Sequence, residues 1–213
     1  METTPLETGN EAEARLLESA LKLFSEKGYE GTSIREIIEG AGVTRPVLYY
    51  YFQNKEDLFR RLVESLFNEY ATRLEGISQG YAESLGRLKA LMRLTFMYAE
   101  RNPLTIRLIF QMYFSPPMCG PKLDKNIFRR KRFQVVEQII QEGLDHAELT
   151  GGDAQSLSLV FISIMDTHIM AKSHMPDIHL TDDLAEGLVD LFFYGACHKE
   201  TPMSALVSPF KYV

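Results

Sequence analysis

The chain has 213 residues, 45% of them hydrophobic and 24% charged, with a formal net charge of −6. That balance fits globular material of one large domain or two small ones, and it argues against a general polyanion binder unless cations gather on one face. Two cysteines, Cys119 and Cys197, stand far apart in no metal or redox spacing, so a disulfide framework is not expected and a reducing cytoplasm is. The polar, acidic start lacks the pattern of a signal peptide, and the apolar run near Leu159–Met165 is too short to span a bilayer.

Helix signals follow one another along the whole chain, and no stretch alternates at period two long enough for a strand. A first helix is expected from about Asn10 to Lys27, with Leu16, Leu17, Ala20, Leu21 and Phe24 on one face and Gly28 as its stop. Ser33 and Glu36 form a capping box that opens a short second helix, broken around Gly40-Ala41-Gly42. Thr44 caps a third, with Pro46 in its first turn where proline costs little, ending near Tyr51. Asn54 caps a long fourth helix to about Glu75, with Leu58, Leu62, Leu66 and Tyr70 as its apolar stripe. Further helices are expected over about Tyr81–Arg101, from Asn102-Pro103 to Phe114, Asp124–His146, Asp153–Ser173 and Asp182–His198. Residues 115–121 read as a loop and 201–213 as a loosely held tail. The fold class is therefore all-α, with about nine helices in two parts: 10–56, and 57–200 followed by the tail.

The second and third helices, joined by a glycine turn, have the geometry of a helix-turn-helix. Gly42 gives the turn its backbone freedom, Val43 plugs the joint, and Ile37, Ile38 and Leu48 seal it against the first helix. Thr32, Ser33 and Thr44 put hydroxyls at helix starts, where phosphate binds well. Arg45 leads the third helix and reaches either a base edge or a phosphate. Tyr49, Tyr50 and Tyr51 cannot all face the core, so at least one faces out, where a tyrosine can hydrogen-bond phosphate and pack on a sugar or thymine methyl. Arg35, Lys55, Arg60 and Arg61 supply cations in or beside the same stretch.

These residues closely resemble the DNA-binding signature of the tetracycline-repressor family. The match runs through Thr32-Ser33-Ile34-Arg35-Glu36-Ile37, Ala41-Gly42-Val43, Leu48-Tyr49-Tyr50-x-Phe52 and Lys55-Glu56-x-Leu58, after a first helix carrying Ala20, Leu23, Phe24, Gly28 and Tyr29. It departs from the family's pattern at Ile38, where alanine is usual, at Pro46, and at Tyr51, where histidine is frequent. The resemblance implies an N-terminal DNA-binding domain and a C-terminal ligand-binding and dimerisation domain. It implies a homodimeric transcriptional regulator on a palindromic operator, with recognition helices about 34–36 Å apart, released by a small-molecule inducer. Thr32, Ser33, Arg35, Thr44, Arg45, Pro46, Tyr49, Tyr50, Tyr51 and Lys55 are then the expected DNA contacts. Leu157, Phe161, Ile164, Leu184, Leu188, Leu191 and Phe192, with Val160 beside them, are the expected dimer interface.

A ligand pocket is expected from Phe96, Phe110, Tyr113, Phe114, Phe133, Met165 and, in the same region, Met118 and Met170, because aromatic and methionine side chains suit adaptable apolar sites. Arg107, Asp166 and His168 are polar groups set in apolar helices. Arg129-Arg130-Lys131-Arg132 reads as a solvated helix face, or else as a contact for DNA or an acidic ligand. His168, His174, His179 and His198 contain no pair at the helical spacing of a zinc site. No nucleophile–base set or phosphate loop points to an enzyme, and no cofactor is expected. Two other functions stay open on the sequence alone: a helical enzyme for an apolar substrate, and a dimerisation module governed by a protein partner.

Overall fold

The computed structural model describes residues 9–78, 83–114, 127–175 and 177–197. Among these it contains nine helices and no strand: α1 (Gly9–Lys27), α2 (Ile34–Ala41), α3 (Arg45–Tyr51), α4 (Lys55–Ser78), α5 (Ser84–Arg101), α6 (Pro103–Phe114), α7 (Ile127–Asp145), α8 (Ala154–His174) and α9 (Asp182–Cys197). The expected loop at 115–121, with Met118 and Cys119, and the tail at 201–213 lie outside the described residues, as does the side chain of Asn10.

Several helix ends follow the chemistry of their flanking residues. Ser33 caps α2 through a complete capping box with Glu36. Asn54 Oδ1 accepts from Asp57 N at 2.8 Å, Asp153 Oδ1 from Ser156 N at 2.9 Å, and Thr181 Oγ1 from Leu184 N at 3.2 Å. Helix α2 runs through Gly40 and Ala41 and ends only at Gly42, whose φ of 63° is the left-handed conformation that L side chains avoid.

The chain forms two compact units. Among described residues the first holds 9–68 and 104–114, so it continues past the boundary expected at residue 56 and takes in nearly all of α6. Its core includes Leu16, Ala20, Phe24, Ile37, Leu48, Phe52, Leu58 and Leu62, each at most 2% exposed. Phe24 stacks on Tyr29 and meets Phe59 edge-on, with ring centroids 5.7 and 4.9 Å apart. Helices α1 and α2 pack closely: a Cβ at Gly40 would stand 2.4 Å from Ser19 Oγ, which itself donates to Ile37 O at 3.0 Å. On α6, Gln111 Nε2 donates to Ser25 O at the end of α1 (2.8 Å).

The second unit holds 69–78, 83–103, 127–175 and 177–197 among described residues. Helix α5 packs on α9 and on α7, and α7 on α8. Leu88, Leu91, Met92, Phe96, Val136, Ile140, Phe161 and Met165 form its interior, each at most 1% exposed. Lys89–Asp190 and Arg93–Glu186, both 2.6 Å, tie α5 to α9. Glu100 on α5 accepts from Leu180 N at 2.8 Å and fixes the α8–α9 connection. By length and composition α8 could cross a membrane; here one side of it is buried against α7 and α9.

A candidate DNA-reading face and a polar interior

The first candidate site lies on α2, α3 and the turn between them. After the left-handed residue Gly42, Thr44 is extended and α3 begins at Arg45 with Pro46 in its first turn. Thr44 makes no side-chain capping bond, so its exposed hydroxyl is not consumed by the helix end. Leu48 is fully buried and anchors α3 against the core, and that fixes which side chains point away. Tyr50 is 81% exposed and Tyr49 49% exposed. Arg45 and Pro46 are exposed as well, and among the described residues Arg45 makes no ion pair. Tyr51 is half-buried, its ring edge-on to Tyr50 at 4.9 Å.

Some expected DNA contacts prove to be structural. Thr32 is 2% exposed, and its hydroxyl donates to Gly28 O at 2.8 Å and to Leu23 O at 3.2 Å. It locks the α1–α2 turn and is withdrawn from the DNA set. Lys55 is turned inward: Nζ donates to Tyr29 O at 2.8 Å and Thr32 O at 2.9 Å, and stands 4.2 Å from the Tyr29 ring centroid. Its ammonium sews the start of α4 to the α1–α2 turn. Ser33 is exposed, but its hydroxyl and N–H serve Glu36. The Glu36 carboxylate also takes Lys27 Nζ at 2.6 Å, and these bonds, Lys27 first and Ser33 next, lower its pKa from 4.5 to about 2. Arg35 is 85% exposed and pairs loosely with Glu39 along the outer edge of α2. Arg60 pairs with Asp57 and Glu64, and Arg61 with Glu13.

The second candidate site is inside the second unit. Tyr70 on α4 and Thr95 on α5 share a hydrogen bond of 3.0 Å between their hydroxyls. Arg132 on α7 donates from Nη2 to Asp166 on α8 at 2.6 Å, and its guanidinium also hydrogen-bonds the Tyr70 hydroxyl. Burial pushes the Tyr70 hydroxyl above its ordinary pKa, against the charge of Arg132 and these hydrogen bonds. Phe96 and His168 face each other nearby, with ring centroids 6.3 Å apart, and His168 Nδ1 donates to Ile164 O at 2.7 Å. Of the expected ligand residues in this unit, Phe96 and Met165 are packed in the core, while Phe133 and His168 are half-buried. The other four belong to α6 in the first unit. Phe110 stacks on Phe114 at 6.1 Å and Tyr113 is half-buried, whereas Arg107 and Phe114 are exposed rather than enclosed. Sequence reasoning named Asp166 but missed its partners. Tyr70 was assigned to an apolar stripe, and Arg132 to a basic run read chiefly as solvated.

The expected dimer residues also divide. Phe161, Leu188 and Phe192 are at most 6% exposed within one chain, and Phe161 and Phe192 meet edge-on at 5.4 Å. Phe161 and Leu188 belong to the core, while Phe192, though buried, also borders a surface groove. Leu157, Val160, Ile164, Leu191 and Phe192 line this groove of about 300 Å³ between α8 and α9, together with Gly195. Leu184 is half-buried.

Residues 16–62, which hold this reading face, match the family model described as bacterial regulatory proteins, tetR family. The chain is 39% identical over 148 residues to IcaR of Staphylococcus epidermidis, a negative transcriptional regulator of the biofilm operon icaADBC; the match covers 70% of this chain and 78% of IcaR. The chain belongs to the tetracycline-repressor family. It is a helix-turn-helix transcriptional regulator. Solved TetR-like folds agree. FadR from Bacillus subtilis in complex with stearoyl-CoA superposes with a TM-score of 0.72 at 20% identity, covering 85% of this chain and 98% of that one. AibR in complex with isovaleryl coenzyme A and operator DNA gives 0.68 at 23% identity, with the same coverage.

Proposed function

We propose that this TetR-family regulator is a homodimeric repressor whose grip on a palindromic operator is loosened by a small, largely apolar ligand in its second unit. The observation that carries the DNA half is α3, a short helix locked from behind by Leu48 that presents Arg45, Pro46, Tyr49 and Tyr50 to solvent. Arg45 reads a base edge or a phosphate. The two tyrosines give hydroxyls to phosphate and ring faces to sugar or thymine methyl. Thr44, Ser33, Arg35 and Tyr51 complete the contact surface.

Two features support ligand control. The second unit sets a polar chain among its helices, running from the hydroxyls of Tyr70 and Thr95 to the Arg132–Asp166 pair, whose aspartate side is 40% exposed, and convergent polar groups of this kind mark small-molecule sites. The FadR and AibR structures named above hold acyl-CoA molecules, which makes an acylated ligand a reasonable class to screen here. The dimer is proposed through the α8–α9 groove, where Val160, Leu191 and Tyr194 are 51%, 37% and 48% exposed. The site of action is the bacterial cytoplasm, where the operator is. Ligand binding shifts a pre-existing equilibrium toward a dimer whose heads are wrongly spaced for successive major grooves.

Selection of genomic fragments with purified protein at a fixed salt concentration tests the reading. One enriched palindromic site, lost on Tyr49→Ala or Arg45→Ala while the fold is retained, is the expected result. No enrichment over background at low salt refutes it.

A further inference from the structure

Helices α7 and α8 border an open cleft of about 530 Å³ on the second unit, a volume within the usual range for small-molecule sites. Phe133, Leu159 and Ile162 give it apolar walls, while Arg130, Arg132 and Glu137 stand along the same lining. The lining carries two guanidiniums and one carboxylate, and Asp166 beside it balances Arg132. Arg132 is unlike an ordinary surface arginine. Its side chain is 16% exposed, it already pairs with the carboxylate of Asp166, and its guanidinium reaches the Tyr70 hydroxyl behind the cleft. One face of that group thus borders the cleft while the other holds the interior chain.

We propose that this cleft binds a medium-chain carboxylate, its tail against Phe133, Leu159 and Ile162 and its head on Arg130 and Arg132, where it competes with Asp166 for the Arg132 guanidinium. A guanidinium forms strong, charge-assisted hydrogen bonds to a carboxylate, and Arg132 makes one to Asp166 from Nη2 at 2.6 Å. A neutral head of the same tail length has no such competitor role. Arg132, lent to the ligand, loosens its hold on α8 and on Tyr70 of α4. This assignment rests on the ligand-controlled reading above and gives it an address and a ligand class.

The chain has no tryptophan, so Gln134→Trp at the cleft edge is a single reporter. Titration with dodecanoate is expected to shift its emission, and Arg132→Gln is expected to weaken that binding at least tenfold. Dodecanol is expected to bind no better to the wild-type cleft than to Arg132→Gln. Arg130→Gln, on an exposed position, gives a smaller loss and guards against misfolding of the Arg132 variant. Equal affinity for dodecanoate and dodecanol overturns the proposal. So does a silent reporter, whether or not dialysis finds dodecanoate bound elsewhere. Leu159→Glu that turns a dimer into a monomer overturns it too, because the cleft would then be covered by a second copy. A gel shift with the unliganded protein is run in parallel, and failure there counts against the regulator reading rather than the cleft.

Discussion

Replacing Lys55 by Met separates two roles that the motif alone leaves fused. The thioether keeps the length and the apolar stem over Tyr29 while removing the charge. In the structure the ammonium donates to Tyr29 O and Thr32 O at 2.8 and 2.9 Å. Hydrogen bonds to a charged group contribute about 1.5–3 kcal/mol each, and a partly exposed cation–π contact about 0.5–1 kcal/mol. Against this stands up to about 2 kcal/mol of side-chain entropy for holding a lysine still. The net expectation is a loss of about 3 kcal/mol, and for a chain of this size that lowers Tm by about 6–12 °C. The assay is a thermal melt followed by circular dichroism, with operator affinity measured from low to moderate salt well below the lowered Tm. A fold-locking lysine leaves the slope of log K against log salt unchanged. A phosphate-binding lysine on each of two heads would reduce that slope by about 1.8. An unchanged Tm with a slope reduced by that amount would refute the inward reading of Lys55.

Tyr50→Ala is expected to weaken operator binding about tenfold, equal to about 1.4 kcal/mol, with no change in Tm, since the ring is 81% exposed; fluorescence anisotropy beside a melt checks both. Glu36 has its folded pKa depressed from 4.5 to about 2. It therefore contributes stability that is fully present above pH 4.5 and lost as pH falls toward 2, and Glu36→Gln is expected to flatten the fall in Tm over that window. Val160→Glu is expected to give a folded monomer by light scattering. Phe161→Ala, one residue on, is expected to cost about 3–5 kcal/mol of stability through the cavity it leaves.

The reading head was legible in the sequence because each of its helix signals is local. The Ser33–Glu36 box, the left-handed Gly42 and the apolar triplet of α2 are all short-range and mutually consistent. What was not legible depends on how helices cross. Thr32 and Ser33 are adjacent hydroxyls, and only the close approach of α1 and α2 turns one into the interior. Helix α8 is apolar on most of its circumference, so Val160 and Phe161 look interchangeable until α7 and α9 choose its buried side. The basic run on α7 poses the same problem with charge. Arg132 has a carboxylate partner because Asp166, 34 residues away, meets it across two helices, and no pattern along α7 announces that.

The pairing of cations in the head has a consequence for the cell. Lys27, Arg35, Arg60 and Arg61 each hold an acid of their own, Lys55 serves two backbone carbonyls, and among the described residues Arg45, proposed above to read DNA, makes no ion pair. Grip on arbitrary sequence scales with the number of phosphates neutralised, so most of the chromosome holds this protein weakly. The millions of competing sites that soak up a strongly basic repressor take little of this one. On the proposed repressor reading, a small number of copies per cell is expected to keep one operator occupied, and a modest drop in affinity on ligand binding to empty it.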